Sequence, residues 1–137
     1  MLAEDIMTSN PVTVTERTKI EEALRLMAER DIRHLPVVRG LEVVGILSDR
    51  DLRSLGLSLV QDAASAQALR ARLREQVTDL MTGTVVTVDA DATLRELIGL
   101  MLDEKVSALP VVHPGSAELV GIVSYVDVLR AIEEEVE

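Results

Sequence analysis

The sequence predicts an α+β fold in which a β-α-β-β-α unit occurs twice and the two copies pack as one pair with approximate two-fold symmetry. Three observations carry this prediction. Short motifs recur in the same order, each copy has an amphipathic helix pattern between apolar strand patterns, and one copy alone has too little apolar surface for an independent core. With 47% hydrophobic residues and Tyr125 as the single aromatic, the core must consist of aliphatic side chains.

The repeat has a nearly constant offset. Met7 and Met81 are 74 positions apart, whereas Gly45 and Gly121 are 76 apart, so the second copy contains a two-residue insertion. The segments that match at the first offset are 5–8 with 79–82, 12–14 with 86–88 and 35–38 with 109–112. The insertion falls among residues 113–117, where a Pro-Gly pair predicts a turn. Turn tips accept extra residues more readily than strands do.

The first half of each copy reads as a strand followed by a helix. Val12–Val14 is a β-branched run that predicts a short strand. From about Thr18 to Arg30, apolar residues fall on one helical face, and Thr18 with Glu21 predicts a capping box. The helical faces comprise Ile20, Ala23, Leu24 and Met27 in the first copy and Leu94, Leu97, Ile98 and Met101 in the second.

The second half of each copy reads as two strands and a final helix. Leu35–Val38 and Val43–Leu47 are apolar runs joined by a turn at 39–41. Pro36 and Pro110 are expected at strand starts, where a missing N–H is tolerated. Ser48 and its counterpart Ser124 open the last helices.

The chain is therefore divided into a first module at 1–58, a connecting segment at 59–76 and a second module at 77–137. Residues 61–76 are rich in Ala, Leu and Arg and predict a helix, with a bend before it at 55–58. This helix is expected to pack on a module edge, and a dimer or partner surface is the alternative.

Composition excludes several functions. The net charge of −10 and the lack of a basic stripe argue against nucleic-acid binding. No apolar run reaches the roughly 20 residues that span a bilayer, and no signal peptide is evident, so we expect a cytoplasmic protein without a membrane partner. The absence of cysteine and the two isolated histidines argue against a metal site. The sequence shows no nucleophile with a base at catalytic spacing, so we expect that the protein is not an enzyme.

Two stretches, 45–51 and 121–127, share the pattern Gly-h-h-Ser-x-x-Asp, where h is an aliphatic residue, at the passage from strand to helix. Two interpretations are open. Ser48 with Asp51, and Ser124 with Asp127, can form capping boxes. Alternatively, the helix N-terminus and the Ser hydroxyl can meet a phosphate while the carboxylate accepts hydrogen bonds from ribose hydroxyls.

The ordered motifs resemble the CBS (cystathionine-β-synthase) domain family. The resemblance rests on Ile-Met-Thr at 6–8, Asn-Pro-Val-Thr-Val at 10–14, residues 32–38 and residues 44–51, with matching segments in the second copy. It implies a stand-alone tandem CBS pair with two clefts that bind AMP, ADP, ATP or a related adenosyl ligand, without a required cofactor and without catalysis. It also implies a homodimer and a separate effector protein. A module that keeps the fold but binds no ligand is the alternative.

The resemblance also implies site residues. Asp51 and Asp127 correspond to the family's ribose-binding aspartate, and Ser48 and Ser124 to its hydroxyl. The remaining candidates are Met7, Ile32, Arg33, His34 and Arg50, and in the other copy Met81, Val106, Ser107, Ala108 and Tyr125.

The two copies differ where ligand charge would be met. The first copy has Arg33, His34 and Arg50. At the matching positions the second copy has Ser107, Ala108 and Val126, and Tyr125 precedes Val126. We therefore expect the clefts to bind unequally, with the better phosphate site around Ser48, Arg50 and Asp51. His34 could instead be a partly buried structural histidine.

Overall fold

A computed structural model describes residues 1–55 and 62–135. Its helices are α1 (Ala3–Ile6), α2 (Ile20–Arg30), α3 (Asp49–Arg53), α4 (Ala63–Leu73), α5 (Leu94–Glu104) and α6 (Tyr125–Glu135), with a 3₁₀ helix at Val77–Asp79. Its strands are β1 (Thr8–Ser9), β2 (Val14–Thr15), β3 (His34–Arg39), β4 (Glu42–Ser48), β5 (Val88–Asp89), β6 (Ala108–Val112) and β7 (Leu119–Ser124). Each copy thus contains the expected β-α-β-β-α order.

The chain forms two compact units that do not follow the order of the repeats. Unit 1 comprises Met1–Val12, Gly40–Val43 and Val85–Glu137, and unit 2 comprises Thr13–Arg39 and Val44–Thr84. The sheet of unit 1 has the order β1-β7-β6-β5, so a strand from the start of the chain completes the sheet of the second copy. Thr8 pairs with Ile122 in antiparallel register. The other sheet has the order β2-β3-β4.

Aliphatic side chains fill the core of each unit, as the composition predicts. In unit 1, Leu97 from α5 packs with Leu109 and Val123 from the sheet, and all three are fully buried. In unit 2, Ile20 and Leu35 are fully buried. Burying one such side chain contributes about 1.5–3 kcal/mol. The amphipathic helices therefore hold the sheets in place.

Three local expectations are wrong. Helix α2 begins at Ile20 with Lys19 as its N-cap, and the Thr18 hydroxyl accepts from the Thr15 N–H at 3.0 Å instead of capping the helix. The 12–14 run contributes only Val14 to a strand. Pro36 and Pro110 are each the third residue of their strand.

The proline positions have a common cause. Strand β5 pairs with Val111 and Val112 and does not extend to Pro110. In the same way, β2 pairs with Val37 and Val38 beyond Pro36. Each proline therefore lies outside the parallel ladder, so that this strand pair needs no hydrogen bond from the N–H that proline lacks.

The stretch predicted to be helical, 61–76, contains α4 from Ala63 to Leu73. None of the described residues of α4 is buried. The predicted bend at 55–58 and the module boundary at 58 fall largely on residues 56–61, which lie outside the described residues. The predicted turns are present, with Gly40 at φ +63° and Gly115 at φ +75°, a region that favours glycine.

Candidate functional site

Two strand-to-helix junctions carry the candidate site. The Asp51 junction (residues 45–51) joins β4 to α3 in unit 2, and the Asp127 junction (residues 121–127) joins β7 to α6 in unit 1. In both, the serine ends the strand and the aspartate lies in the first turn of the helix. The repeat therefore places the same pair of side chains at the same structural position twice.

The capping interpretation is confirmed at both junctions. Asp51 Oδ2 accepts from the Ser48 N–H at 2.9 Å and from the Ser48 hydroxyl at 3.0 Å, and the Ser48 Oγ accepts from the Asp51 N–H at 3.1 Å. The corresponding distances for Asp127 and Ser124 are 2.8, 3.1 and 3.4 Å. The boxes fix the side-chain rotamers of both aspartates.

Capping uses only one oxygen of each carboxylate. Within the described part of the chain, Oδ1 of Asp51 and Oδ1 of Asp127 accept no hydrogen bond. Both aspartates are half-buried rather than enclosed. Each junction therefore offers a fixed carboxylate oxygen that can accept hydrogen bonds from a ligand.

Backbone hydrogen bonds hold the segment before each central strand against its junction. The Asp49 N–H donates to the carbonyl of Arg33 at 2.8 Å, and the Tyr125 N–H donates to the carbonyl of Ser107 at 2.9 Å. The sequence-predicted residues at 32–34 and 106–108 are thereby brought next to the helix starts. Among them Ala108 is buried, so that its side chain belongs to the core.

The two methionines lie at the junction of the other copy. Met81 packs against Gly45 of the Asp51 junction, and Met7 packs against Gly121 of the Asp127 junction. The pairing of Thr82 with Ile46, and of β1 with β7, holds them there. Sequence reasoning identified both methionines but gave no signal for this exchange, which depends on long-range strand pairing.

The Asp51 junction carries the cations that the sequence predicts. Arg33 and Arg50 are exposed, and Arg53 forms a 2.8 Å ion pair with Asp49. Burial lowers the pKa of the His34 imidazole, the carboxylates of Asp49 and Asp51 oppose that shift, and the Arg33 charge adds to it. A cavity of about 480 Å³ lies beside this group. It is lined by Leu24, Met27, Ala28, Asp31, Ile32, Arg33, Asp49 and Arg53.

A cavity of about 360 Å³ reaches the Asp127 junction within unit 1. Its lining consists of Met1, Asp5, Ile6, Asp127, Arg130, Ala131 and Glu134. Comparing the two copies gives no signal for Arg130, because its counterpart in the first copy is Ser54. Spacing could have found it, since Arg130 follows Asp127 by three residues on a helix. Tyr125 is 47% exposed.

Comparison with protein families matches the CBS domain at residues 3–58 and again at 77–134. The chain belongs to the CBS domain family. A homoserine O-acetyltransferase of Methanocorpusculum labreanum is 35% identical over 113 residues, which are 82% of this chain and 20% of that enzyme. The chain thus spans about a fifth of the length of this curated relative.

Two solved CBS-pair structures cover nearly the whole chain. One is CBSX2 in complex with AMP, at 29% identity and a TM-score of 0.80, with 99% of this chain and 98% of that one covered. CBSX2 is a protein of Arabidopsis thaliana. The other is the CBS domain pair of MJ0100 with 5′-methylthioadenosine and S-adenosyl-L-methionine, at 27% identity, a TM-score of 0.78 and 98% coverage of both chains. The described helices of this CBS pair include none that is long and apolar enough to cross a membrane.

Proposed function

We propose that this CBS pair is a non-catalytic regulatory module that binds an adenosine-containing ligand at its Asp51 and Asp127 junctions. The observation that carries the proposal is the Oδ1 of each capping aspartate, which accepts no hydrogen bond from the described residues and is held in a fixed rotamer at the half-buried start of a helix. A carboxylate in that state can accept hydrogen bonds from the vicinal hydroxyls of a ribose. Related CBS pairs in complex with AMP and with 5′-methylthioadenosine support the choice of ligand class.

Side chains rather than a helix dipole would meet a phosphate at the Asp51 junction. Helix α3 spans only five residues, so that its dipole is small. Arg33 and Arg50 are exposed cations beside the junction, and His34 is a third candidate. We propose that these groups bind the phosphate of AMP, ADP or ATP while Asp51 binds the ribose, with Ile32 and Met81 beside the base.

The remaining candidates are proposed to serve the Asp127 junction. Ser124 holds Asp127, and Tyr125 offers a ring for stacking or a hydroxyl for hydrogen bonding. Met7, Val106 and Ser107 complete the surroundings, with Ala108 acting through its backbone.

Signalling through a partner completes the proposal. A cytoplasmic homodimer that transmits ligand occupancy to a separate effector protein fits the exposed apolar side chains on α5 and α6, two helices that contact each other. Leu102, Tyr125 and Leu129 are 71%, 47% and 57% exposed. Light scattering of the Leu129→Lys variant tests the dimer, which should dissociate.

A ligand-free interaction module is the second candidate function. The complete capping boxes favour it, because they explain Ser48, Asp51, Ser124 and Asp127 by helix stability alone. Binding measurements on variants that keep the cap separate the two functions.

The deciding experiment is calorimetry and thermal shift with AMP, ATP, NADH and S-adenosylmethionine on the wild-type chain, Asp51→Asn and Asp127→Asn. Asparagine keeps one oxygen for the cap but loses the second acceptor. A ligand at 100 times its Kd should stabilise the chain by about 2.7 kcal/mol. The control is Asp62→Asn, which alters an N-cap of α4 whose carboxylate accepts from the Ser65 N–H at 2.7 Å. A flat response to every ligand favours the ligand-free module.

A further inference from the structure

The cavity at the Asp127 junction is lined by an excess of negative charge. Asp5, Asp127 and Glu134 supply three carboxylates, and Arg130 supplies one guanidinium. Even if the amino group of Met1 is counted as a second cation, the carboxylates remain in excess. Two of the three carboxylates are already fixed by capping, because Asp5 Oδ2 accepts from the Leu2 N–H at 2.7 Å. The cavity therefore opposes the entry of an anion.

The Asp51 junction has a different balance. The arginines at 33, 50 and 53 offset the carboxylates of Asp31, Asp49 and Asp51, so that this group is close to neutral. Of these charges, only Arg53 and Asp49 form an ion pair with each other among the described residues. A phosphate would therefore meet exposed arginines at the Asp51 junction, whereas Arg130 lines a cavity with three carboxylates.

We propose that the Asp127 junction selects an adenosine derivative whose 5′ substituent carries no net negative charge, such as a neutral thioether or a sulfonium amino acid, whereas the Asp51 junction selects a phosphate. This inference rests on the proposed function, since it assigns a ligand class to each of the two sites. Asp127 would bind the ribose of the thioether ligand and of the sulfonium ligand alike. The acidic lining contributed by Asp5 and Glu134 would exclude AMP, whose phosphate carries a charge of about −1.5 to −2 at pH 7.

Single-site variants allow each junction to be measured alone. Asp51→Asn leaves the Asp127 junction intact, and Asp127→Asn leaves the Asp51 junction intact. Titration calorimetry with 5′-methylthioadenosine, S-adenosylmethionine and AMP is expected to rank AMP last for Asp51→Asn and first for Asp127→Asn. Thermal unfolding of each variant without ligand verifies that the fold is retained.

Removing one charge from the cavity gives a sharper test. In the Asp51→Asn chain, Glu134→Gln is expected to weaken the binding of S-adenosylmethionine, whose net charge is +1, about three-fold, from the Coulomb energy of one pair of charges at a water-exposed distance of several ångströms. It is expected to strengthen AMP binding about five- to nine-fold, because the phosphate carries about −1.5 to −2. Binding of the neutral 5′-methylthioadenosine should stay the same. Glu133→Gln is the matched control, because Glu133 is an exposed neighbour outside the cavity lining.

The outcomes separate this inference from the proposed function. If no adenosine compound binds the wild-type chain, both fail. If AMP binds the Asp51→Asn chain as tightly as 5′-methylthioadenosine does, or if Glu134→Gln changes all three affinities alike, only the charge selection is overturned. The same holds if the Asp51→Asn chain binds none of the three while the wild-type chain binds AMP.

Discussion

The sulfur of Met81 fills the space that a side chain at Gly45 would occupy. A Cβ added to Gly45 would lie 2.6 Å from Met81 Sδ and 3.0 Å from the carbonyl oxygen of Thr82. Gly121 has the same relationship to Met7, and there a Cβ would lie 2.9 Å from the carbonyl oxygen of Thr8. Glycine at these positions lets a segment from the other copy lie close against the strand, which explains the first residue of the Gly-h-h-Ser-x-x-Asp pattern.

Alanine at either glycine is therefore expected to destabilise the chain. We expect Gly45→Ala and Gly121→Ala each to lower the free energy of unfolding by about 1–3 kcal/mol, because the clash forces the methionine and a backbone carbonyl to move. Urea unfolding measures the loss. Gly99→Ala is the control, since nothing lies within 4 Å of a Cβ there, and it should stabilise α5 by up to about 1 kcal/mol. Adding Met81→Ala to Gly45→Ala should recover part of the loss, and a purely additive double variant would contradict this account.

The repeats differ at one helix cap, which predicts a stabilising substitution. Thr93 caps α5 by accepting from the Glu96 N–H at 3.2 Å, whereas its counterpart Lys19 makes no side-chain cap on α2. The two residues have similar backbone angles, φ −78° and −74°. Lys19→Thr is expected to raise the free energy of unfolding by about 1 kcal/mol, and Thr93→Lys to lower it by a similar amount. Thermal unfolding tests both, and equal melting temperatures for the two variants would refute the prediction.

His34 should make stability depend on pH. Because burial lowers the folded-state pKa of His34 below 6.5, the unfolded chain binds a proton below pH 6.5 that the folded chain does not yet bind. The contribution of His34 to stability is therefore complete above pH 6.5 and is lost as the pH falls through 6.5 to the folded-state pKa. Urea unfolding at a series of pH values should show that, in this pH range, the free energy of unfolding changes less steeply with pH for His34→Gln than for wild type. An identical dependence on pH for wild type and His34→Gln would argue against this role of His34.

Phosphate recognition at the Asp51 junction predicts an effect of charge that depends on the ligand. Replacing Arg33 and Arg50 by alanine together should weaken AMP binding about ten-fold and leave adenosine binding nearly unchanged, because a charge-assisted hydrogen bond contributes about 1.5–3 kcal/mol. Calorimetry of the Asp127→Asn chain measures this junction alone. Arg17→Ala, an exposed arginine elsewhere in unit 2, is the control, and equal losses for AMP and adenosine would indicate that the arginines act on the fold instead.

Local patterns were sufficient to predict the elements of each copy. The periodic apolar residues of α2 and α5, and the turn at Gly40, depend on near neighbours in sequence, and the structure has them at those places. The Ser–Asp spacing likewise predicted the capping boxes. The capping box predicted at Thr18 is wrong, because the Thr18 hydroxyl bonds to Thr15 and the N-cap residue, Lys19, makes no side-chain hydrogen bond to α2.

Features that depend on distant residues could not be predicted in this way. Nothing near Met7 in the sequence indicates that it lies against Gly121, because that contact follows from the pairing of β1 with β7. The cavity shared by Asp5, Asp127 and Arg130 has the same origin, since α1 is brought to α6 by the same strand pairing. The residues that each junction receives from the other copy are thus a consequence of tertiary structure.

The pairing of Thr8 with Ile122 has a consequence for the order in which the protein folds during synthesis. All residues of unit 2 lie between positions 13 and 84, so that its contacts can form while the ribosome is still translating the second half of the chain. Unit 1 needs residues that come before and after those of unit 2, and β1 has no partner until β7 emerges. Loop closure over so long a stretch is slow. Strand β1 therefore stays without its native partner until β7 has been translated.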